Sequence, residues 1–189
     1  MNLRYEQLSV DNLKIAAKVQ LEIFPNSSAY IKYKEEVFSN NNLPIDYLVF
    51  LEDNPIGVVG LYVIEEYSDT IWISWFGILE KYRNKGIGKQ VFQFIIEKAK
   101  TYNKKFLRLY TYEVWNSTAQ PFYNKYMEIS EYYTNELDNE VDINIGKSKI
   151  YGLSLRDEPV GLWNNKFIDL GKDDILHEKS LSLMKKDNV

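Results

Sequence analysis

The chain has 189 residues, 45% of them hydrophobic and 26% charged, and a formal net charge of −4, the make-up of a globular protein with a real core. It contains no cysteine and one histidine, His177, which excludes disulfide scaffolds, thiolate metal sites and a cysteine nucleophile and argues against histidine-based metal or Ser-His-Asp chemistry. No window reaches the roughly 18 apolar residues of a membrane span, no signal-like apolar run opens the chain, and the acidic balance argues against nucleic-acid binding, so a cytoplasmic protein with neither a membrane nor a nucleic-acid partner is expected.

Leu3 to Val10 alternates as a short first strand, and Asp11 or Asn12 then caps "LKIAAKVQLEIF", a helical stretch closed by Pro25. "PNSS" is a turn in which Ser28 caps a second helix with Tyr30, Tyr33 and Val37 on one stripe. "DYLVFLEDNPIGVVGLYVI" reads as two strands joined by the turn-forming "EDNP". "TIWISWFGI" is apolar on both faces, as in a central strand, and strict alternation puts Trp72, Ser74, Phe76 and Ile78 on one face. After "YRNKGIGKQ", residues Ile87, Val91, Phe92, Ile95, Ile96 and Ala99 share one helical face. "FLRLYTY" is a further strand and "NSTAQPFYNKYM" a short helix with Pro121 near its first turn. "EISEYYT" and "INIGKSKIYGLSL" form two last strands around an acidic loop with Glu136, Asp138, Glu140 and Asp142. From Arg156 onward the pattern weakens, and Ile175 to Lys186 is a marginal helix. The sum is an α/β (α+β) fold, a mixed and mainly antiparallel sheet of about seven strands with about four helices, as a domain over residues 1–155 with an extension over 156–189.

The stretch "YRNKGIGKQ" joins a buried strand to the strongest helix and puts Arg83, Lys85 and Lys89 around Gly86 and Gly88. A helix start presents unpaired N–H groups and the positive end of a dipole, and glycines let an anion approach the backbone. A plain surface turn would explain the same residues. The phosphate-loop pattern is absent, and Val91 stands where a dinucleotide fingerprint needs its third glycine.

"R-N-K-G-I-G", Arg83 to Gly88, resembles the [R/Q]-x-x-G-x-[G/A] signature of the GNAT superfamily of acyl-CoA-dependent N-acyltransferases. It stands between a fourth strand and a third helix, and Asn116, Ala119 and Tyr123 match the family's N-x-x-A-x-x-x-Y pattern about thirty residues on, so the likeness spans roughly residues 3–155. The resemblance implies acetyl-CoA as co-substrate, with no metal. The backbone of Arg83, Asn84, Lys85, Gly86, Ile87, Gly88 and Lys89 would hold the diphosphate, and the strand edge near Phe76 and Ile78 would pair with the pantetheine amides. Asn116, otherwise a plain helix cap, would bond the pantetheine arm. Tyr123, otherwise a core aromatic, would protonate the departing thiolate. The family often follows that tyrosine with Gly-Phe; here "YNKYME" follows instead and makes Tyr126 a rival donor.

Some relatives have a glutamate near the start of the fourth strand, where this chain has Trp72. Glu65, Glu66, Asp69, Glu113 or a water chain remain as candidate bases. The acceptor is expected to be a small cationic amine or a protein or peptide amine, entering past Phe24, Tyr30 and Tyr33 and the acidic loop. Trp163, Phe167 and Ile168 give the extension apolar surface to pack across the acceptor groove or on a second subunit, as a homodimer; His177 is expected to be a solvated surface residue. With no cysteine to carry an acetyl group, the amine would attack the thioester directly. A non-catalytic CoA-binding or regulatory module, or a protein-interaction domain, are the competing readings.

Overall fold

The computed structural model describes residues 2–39, 41–112, 117–133, 147–164, 166–168 and 173–187. Among them the elements run β1 (Leu3–Gln7), α1 (Leu13–Ile23), α2 (Ala29–Phe38), β2 (Ile45–Leu51), β3 (Asn54–Tyr62), β4 (Thr70–Ile78), α3 (Ile87–Lys100), β5 (Phe106–Tyr112), α4 (Gln120–Tyr126), β6 (Ile129–Tyr132), β7 (Ser148–Ser154) and α5 (Asp173–Lys186). The strands form one sheet in the order β1-β2-β3-β4-β5-β7-β6. β4 and β5 run parallel, because α3 returns the chain to the end of the sheet where β4 began, while β1–β2, β2–β3, β5–β7 and β6–β7 are antiparallel. The mixed α+β architecture is thus the expected one, with the extension adding a fifth helix.

The chain groups into two compact units, Met1–Tyr62 with Ile73–Glu97 and Leu170–Val189, and Val63–Trp72 with Lys98–Asp169. In the first, Leu48 and Phe50 of β2 and Val58 of β3 pack against Ala16, Ala17 and Val19 of α1 and Tyr30 and Tyr33 of α2. On α3, Ile87, Val91, Phe92 and Ile95 are buried as their spacing predicts. The Phe94 ring of the same helix stacks on Tyr5 and meets the Tyr47 ring edge-on.

The extension is more ordered than its sequence suggests. α5 is a full 14-residue helix, held on α1 and α2 by specific bonds. No α2 side chain caps its own N-terminus; instead the Ile31 amide donates to the Ser180 hydroxyl (3.2 Å). The Tyr30 hydroxyl and the Lys34 ammonium donate to the Asp187 carboxylate (2.6 and 2.8 Å). His177 is half-buried rather than solvated, its Nδ1 2.9 Å from the Ser27 carbonyl oxygen. These partners are remote in sequence, which is why local periodicity understates the helix.

In the second unit Trp163 is fully buried. Its ring meets Trp72 and Tyr67 edge-on at 4.9 and 4.7 Å, the Arg108 guanidinium lies 5.1 Å from its centre, and its Nε1 donates to the Lys166 carbonyl (2.7 Å). Removing a buried indole leaves a cavity that costs about 3–5 kcal/mol. Trp163→Ala should therefore lower the melting temperature by roughly 10 °C, at about 2–4 °C per kcal/mol for a chain of this size. Calorimetry showing a shift below 2 °C would remove Trp163 from the core.

Candidate active site

The socket at the head of α3 is shaped by two left-handed residues. Asn84 has φ 61° and Gly86 φ 77°, and a Cβ added at Gly86 would meet nothing within 4 Å. The glycine is therefore required by conformation, and the space beside it is open. Gly86 supplies the first helical acceptor, taking the Gln90 amide at 3.4 Å, so the amides of Ile87, Gly88 and Lys89 belong to the first helical turn, which has no acceptor within the helix. Ile87 is buried and anchors the turn, whereas Arg83, Asn84, Lys85 and Lys89 are exposed. Arg83 braces the loop: its amide donates to the Glu80 carbonyl (3.0 Å) and its Nε to the Ile78 carbonyl (2.8 Å). Lys85 donates to the Lys81 carbonyl (3.0 Å).

β4 differs from a regular strand at its middle. Ser74 donates to Asp46 (2.8 Å), a β2 residue that faces α2, yet its neighbour Trp75 packs on the same side, against Phe24 of the α1 end and beneath Lys32 of α2. Phe76 then turns to Phe92 of α3 (6.0 Å). Two successive residues on one side break the expected alternation of Trp72, Ser74, Phe76 and Ile78, as an extra residue in the strand does. The register pairs β4 with β5 at Thr70, Ile71 and Trp72, just before this break. Residues 74–77 are partly exposed, although Thr70 to Ile73 and Ile78 are buried.

Tyr123, on α4, is buried against the Tyr151 ring (5.4 Å between centres). Burial, and then Tyr151, push its phenol well above the ordinary value of 10, so it keeps its proton at neutral pH. Tyr126 is half-buried and packs on Phe122 (4.7 Å). In place of a glycine, α4 ends on extended Met127, itself buried, whose amide donates to the Tyr123 carbonyl (2.9 Å). Asn116, Glu113 and the acidic residues Glu136, Asp138, Glu140 and Asp142 lie outside the described residues.

Of the candidate bases, Glu65, Glu66 and Asp69 lie at the surface. Glu65 and Glu66 are exposed in the β3–β4 connection. Asp69 takes the Thr70 hydroxyl on its carboxylate (2.8 Å) and the Lys105 and Phe106 amides on its carbonyl. Tyr30 and Tyr33, expected to line an acceptor slot, are buried in the core, so of that trio only Phe24 stays partly exposed, paired with Trp75. Among the described residues no group of His, Cys, Asp or Glu is placed to hold a metal ion.

Sequence reasoning missed a carboxyl pair under the first unit's sheet. Asp46, buried at the start of β2, takes the Ser74 hydroxyl, and its amide donates to Glu36 Oε1 (2.8 Å), which brings the two carboxyls together; among the described residues the buried Glu36 Oε2 has no hydrogen-bond partner. A methyl at Gly60, opposite Asp46 in the register, would overlap the carboxyl. Burial, then the field of Asp46, raises Glu36 to about 9, and burial also raises Asp46 against the opposing pull of Glu36, Ser74 and Lys32. The available signal was an Asp inside an apolar strand opposite a Gly. Because the folded-state value of Glu36 is raised, its contribution to stability is fully present below about 4.5, the unfolded value, and is lost as pH rises through about 9. Denaturant titrations from pH 5 to 9 should show wild-type stability falling by up to about 1.4 kcal/mol per pH unit and Glu36→Gln flattening that slope; parallel slopes would mean that Glu36 is ionised in the fold.

The model of the Acetyltransferase (GNAT) family matches residues 13–128. No curated protein sequence matches the chain. Among solved structures it is similar to a GNAT family acetyltransferase from Elizabethkingia anophelis with acetyl-CoA bound, at 19% identity and a TM-score of 0.61 over 81% of this chain and 98% of that one. It is also similar to the PaiA N-acetyltransferase of Thermoplasma acidophilum in complex with coenzyme A, at 21% identity and TM-score 0.62 over 82% and 99%. NAA60 of Arabidopsis thaliana in complex with a bisubstrate analogue shares 13% identity and TM-score 0.61 over 81% and 99%. At these identities the structures report the fold alone, whereas the family model spans well over half of the chain and includes both the α3 socket and α4. The chain belongs to the GNAT family of acetyltransferases.

Proposed function

We propose that this acetyltransferase moves an acetyl group from acetyl-CoA to a primary amine, which attacks the thioester directly in a ternary complex. The observation that carries this reading is the open, left-handed Gly86 turn, which presents the first-turn amides of α3 beside exposed cations, a fit for a diphosphate. The amides of Asn84 to Lys89 would hold it; the Arg83 amide is already engaged with Glu80. The partly exposed β4 segment around Phe76, leading to Ile78, offers an edge for pantetheine, because the register with β5 covers only the first three of nine β4 residues. Asn116 would contact the pantetheine arm, and Tyr123 would protonate the thiolate. The acceptor, a small or peptide amine, would enter beside Phe24 and Trp75, where the Lys32 ammonium, 5.9 Å from the indole centre, illustrates how a cation is received.

Incubating the protein with acetyl-CoA and spermidine, kanamycin or a peptide with free amines, while following thiol release, tests the reading. Release above the uncatalysed rate with at least one amine is the expected result, together with a CoA-dependent rise in melting temperature. Stabilisation by CoA without release from any amine would instead make the chain a non-catalytic CoA-binding module.

A further inference from the structure

Ser74 and the carboxyl pair behind it have a chemistry that the family assignment does not supply. The Ser74 hydroxyl lies on the partly exposed stretch of β4, where the break in alternation turns it toward α2, and it donates to Asp46 Oδ1 at 2.8 Å. Behind it Asp46 is 5% exposed, opposite a glycine that leaves room for the carboxyl. A buried Asp beside Glu36, countered by the partly exposed Lys32 of α2, is a costly feature for a core. The groups around the Asp46–Glu36 pair are Tyr33 and Lys32 from α2 and Ser74 from β4, with Tyr47 of β2 also within reach of the Glu36 charge. Beside them on α1, fully buried Gln20 takes the Tyr33 hydroxyl on Oε1 and leaves Nε2 without a partner, a donor that an incoming polar group would satisfy.

Resting on the acetyltransferase reading, we propose that Ser74 is the catalytic residue that receives the acceptor's proton, and that Asp46 and Glu36 are the positioning pair that draws it away. The acceptor ammonium gives one N–H proton to Ser74 Oγ as the Ser74 proton passes to Asp46 Oδ1. The neutral amine then forms its bond to the acetyl carbon while the C–S bond breaks and its electron pair leaves on sulfur; the nitrogen gives up its second proton to replace the one the thiolate takes up, leaving the amide and the free thiol. After product release the proton on Asp46 returns to solvent through the same hydroxyl. The raised affinity of the pair for protons suits a base that must compete with an alkylamine.

The test measures kcat, KM and the pH dependence of kcat/KM for wild type, Asp46→Asn and Ser74→Ala, using the best acceptor among spermidine, kanamycin and a free-amine peptide. Asp46→Asn should lower kcat by about 100-fold and Ser74→Ala by about tenfold, with KM for acetyl-CoA unchanged. In both variants kcat/KM should rise by about tenfold per pH unit below the amine's pKa, because only the already neutral amine reacts, while the wild type rises less steeply. Should Asp46→Asn fail to fold, Ser74→Ala decides, since it leaves the carboxyl pair in place. Wild-type kcat and pH profile in the variants, or a lower kcat with an unchanged profile, overturns the proposal alone. A wild-type protein inactive on every amine overturns the acetyltransferase reading, and this proposal with it.

Discussion

Gly86→Glu is expected to abolish the CoA-dependent rise in melting temperature and to weaken CoA binding by more than about 100-fold, as like charges brought together at a binding surface cost several kcal/mol. Two effects combine. Residue 86 has φ 77°, which an L-residue adopts at a cost of about 1–2 kcal/mol. The new carboxylate would project into open space at the positive end of α3. Gly86→Ala separates them: it keeps the conformational cost but adds no charge, and should weaken binding by roughly tenfold, the equivalent of about 1.4 kcal/mol. Isothermal titration with CoA, alongside melting of the unliganded variants, measures both. Wild-type affinity in Gly86→Glu would show that the turn is only a solvated surface, as an interaction domain requires.

Tyr123→Phe is expected to lower kcat by about 100-fold or more, the usual scale for losing a positioned acid, with KM for acetyl-CoA within twofold of wild type. The phenol is held protonated by its burial, and the same desolvation would raise the proton affinity of a thiolate released beside it. The phenylalanine ring keeps its packing on Tyr151, so stability should change by no more than about 1 kcal/mol. Unchanged kcat would shift the role to Tyr126 or to water, and a large rise in KM with a fallen melting temperature would make Tyr123 structural.

The α3 socket and the β4 edge differ in how far the sequence alone shows them. The α3 socket was readable because its causes are local: glycine where φ is positive, an apolar stripe that starts one residue later, and cations around it. The β4 edge was readable as a strand, and the family likeness pointed to Phe76 and Ile78 on it, but the facing of its residues was not readable. Alternation is inferred by counting, and the break that sends Ser74 and Trp75 to one side shifts every later residue relative to that count. The aromatic stripe on α2 misled for a similar reason. Tyr30 and Tyr33 are amphipathic rings whose hydroxyls find Asp187 and Gln20 in the fold, so they belong to the core rather than to an acceptor slot.

By itself the sequence determined the order and type of the elements, the sheet-forming runs, the apolar face of α3 and the family signature, because each depends on neighbours within a few residues. Only the tertiary structure decided what is acidic at the heart of the first unit. Glu36 and Asp46 are ten residues apart on a helix and a strand, and although Asp46 stands in an apolar strand, nothing local in the sequence ties it to Glu36. It is burial across α2, β2 and β4 that joins them, raises their proton affinity and turns the Ser74 hydroxyl toward them. The same holds for α5, whose helix depends on Ser27, Tyr30, Ile31 and Lys34, all more than a hundred residues away.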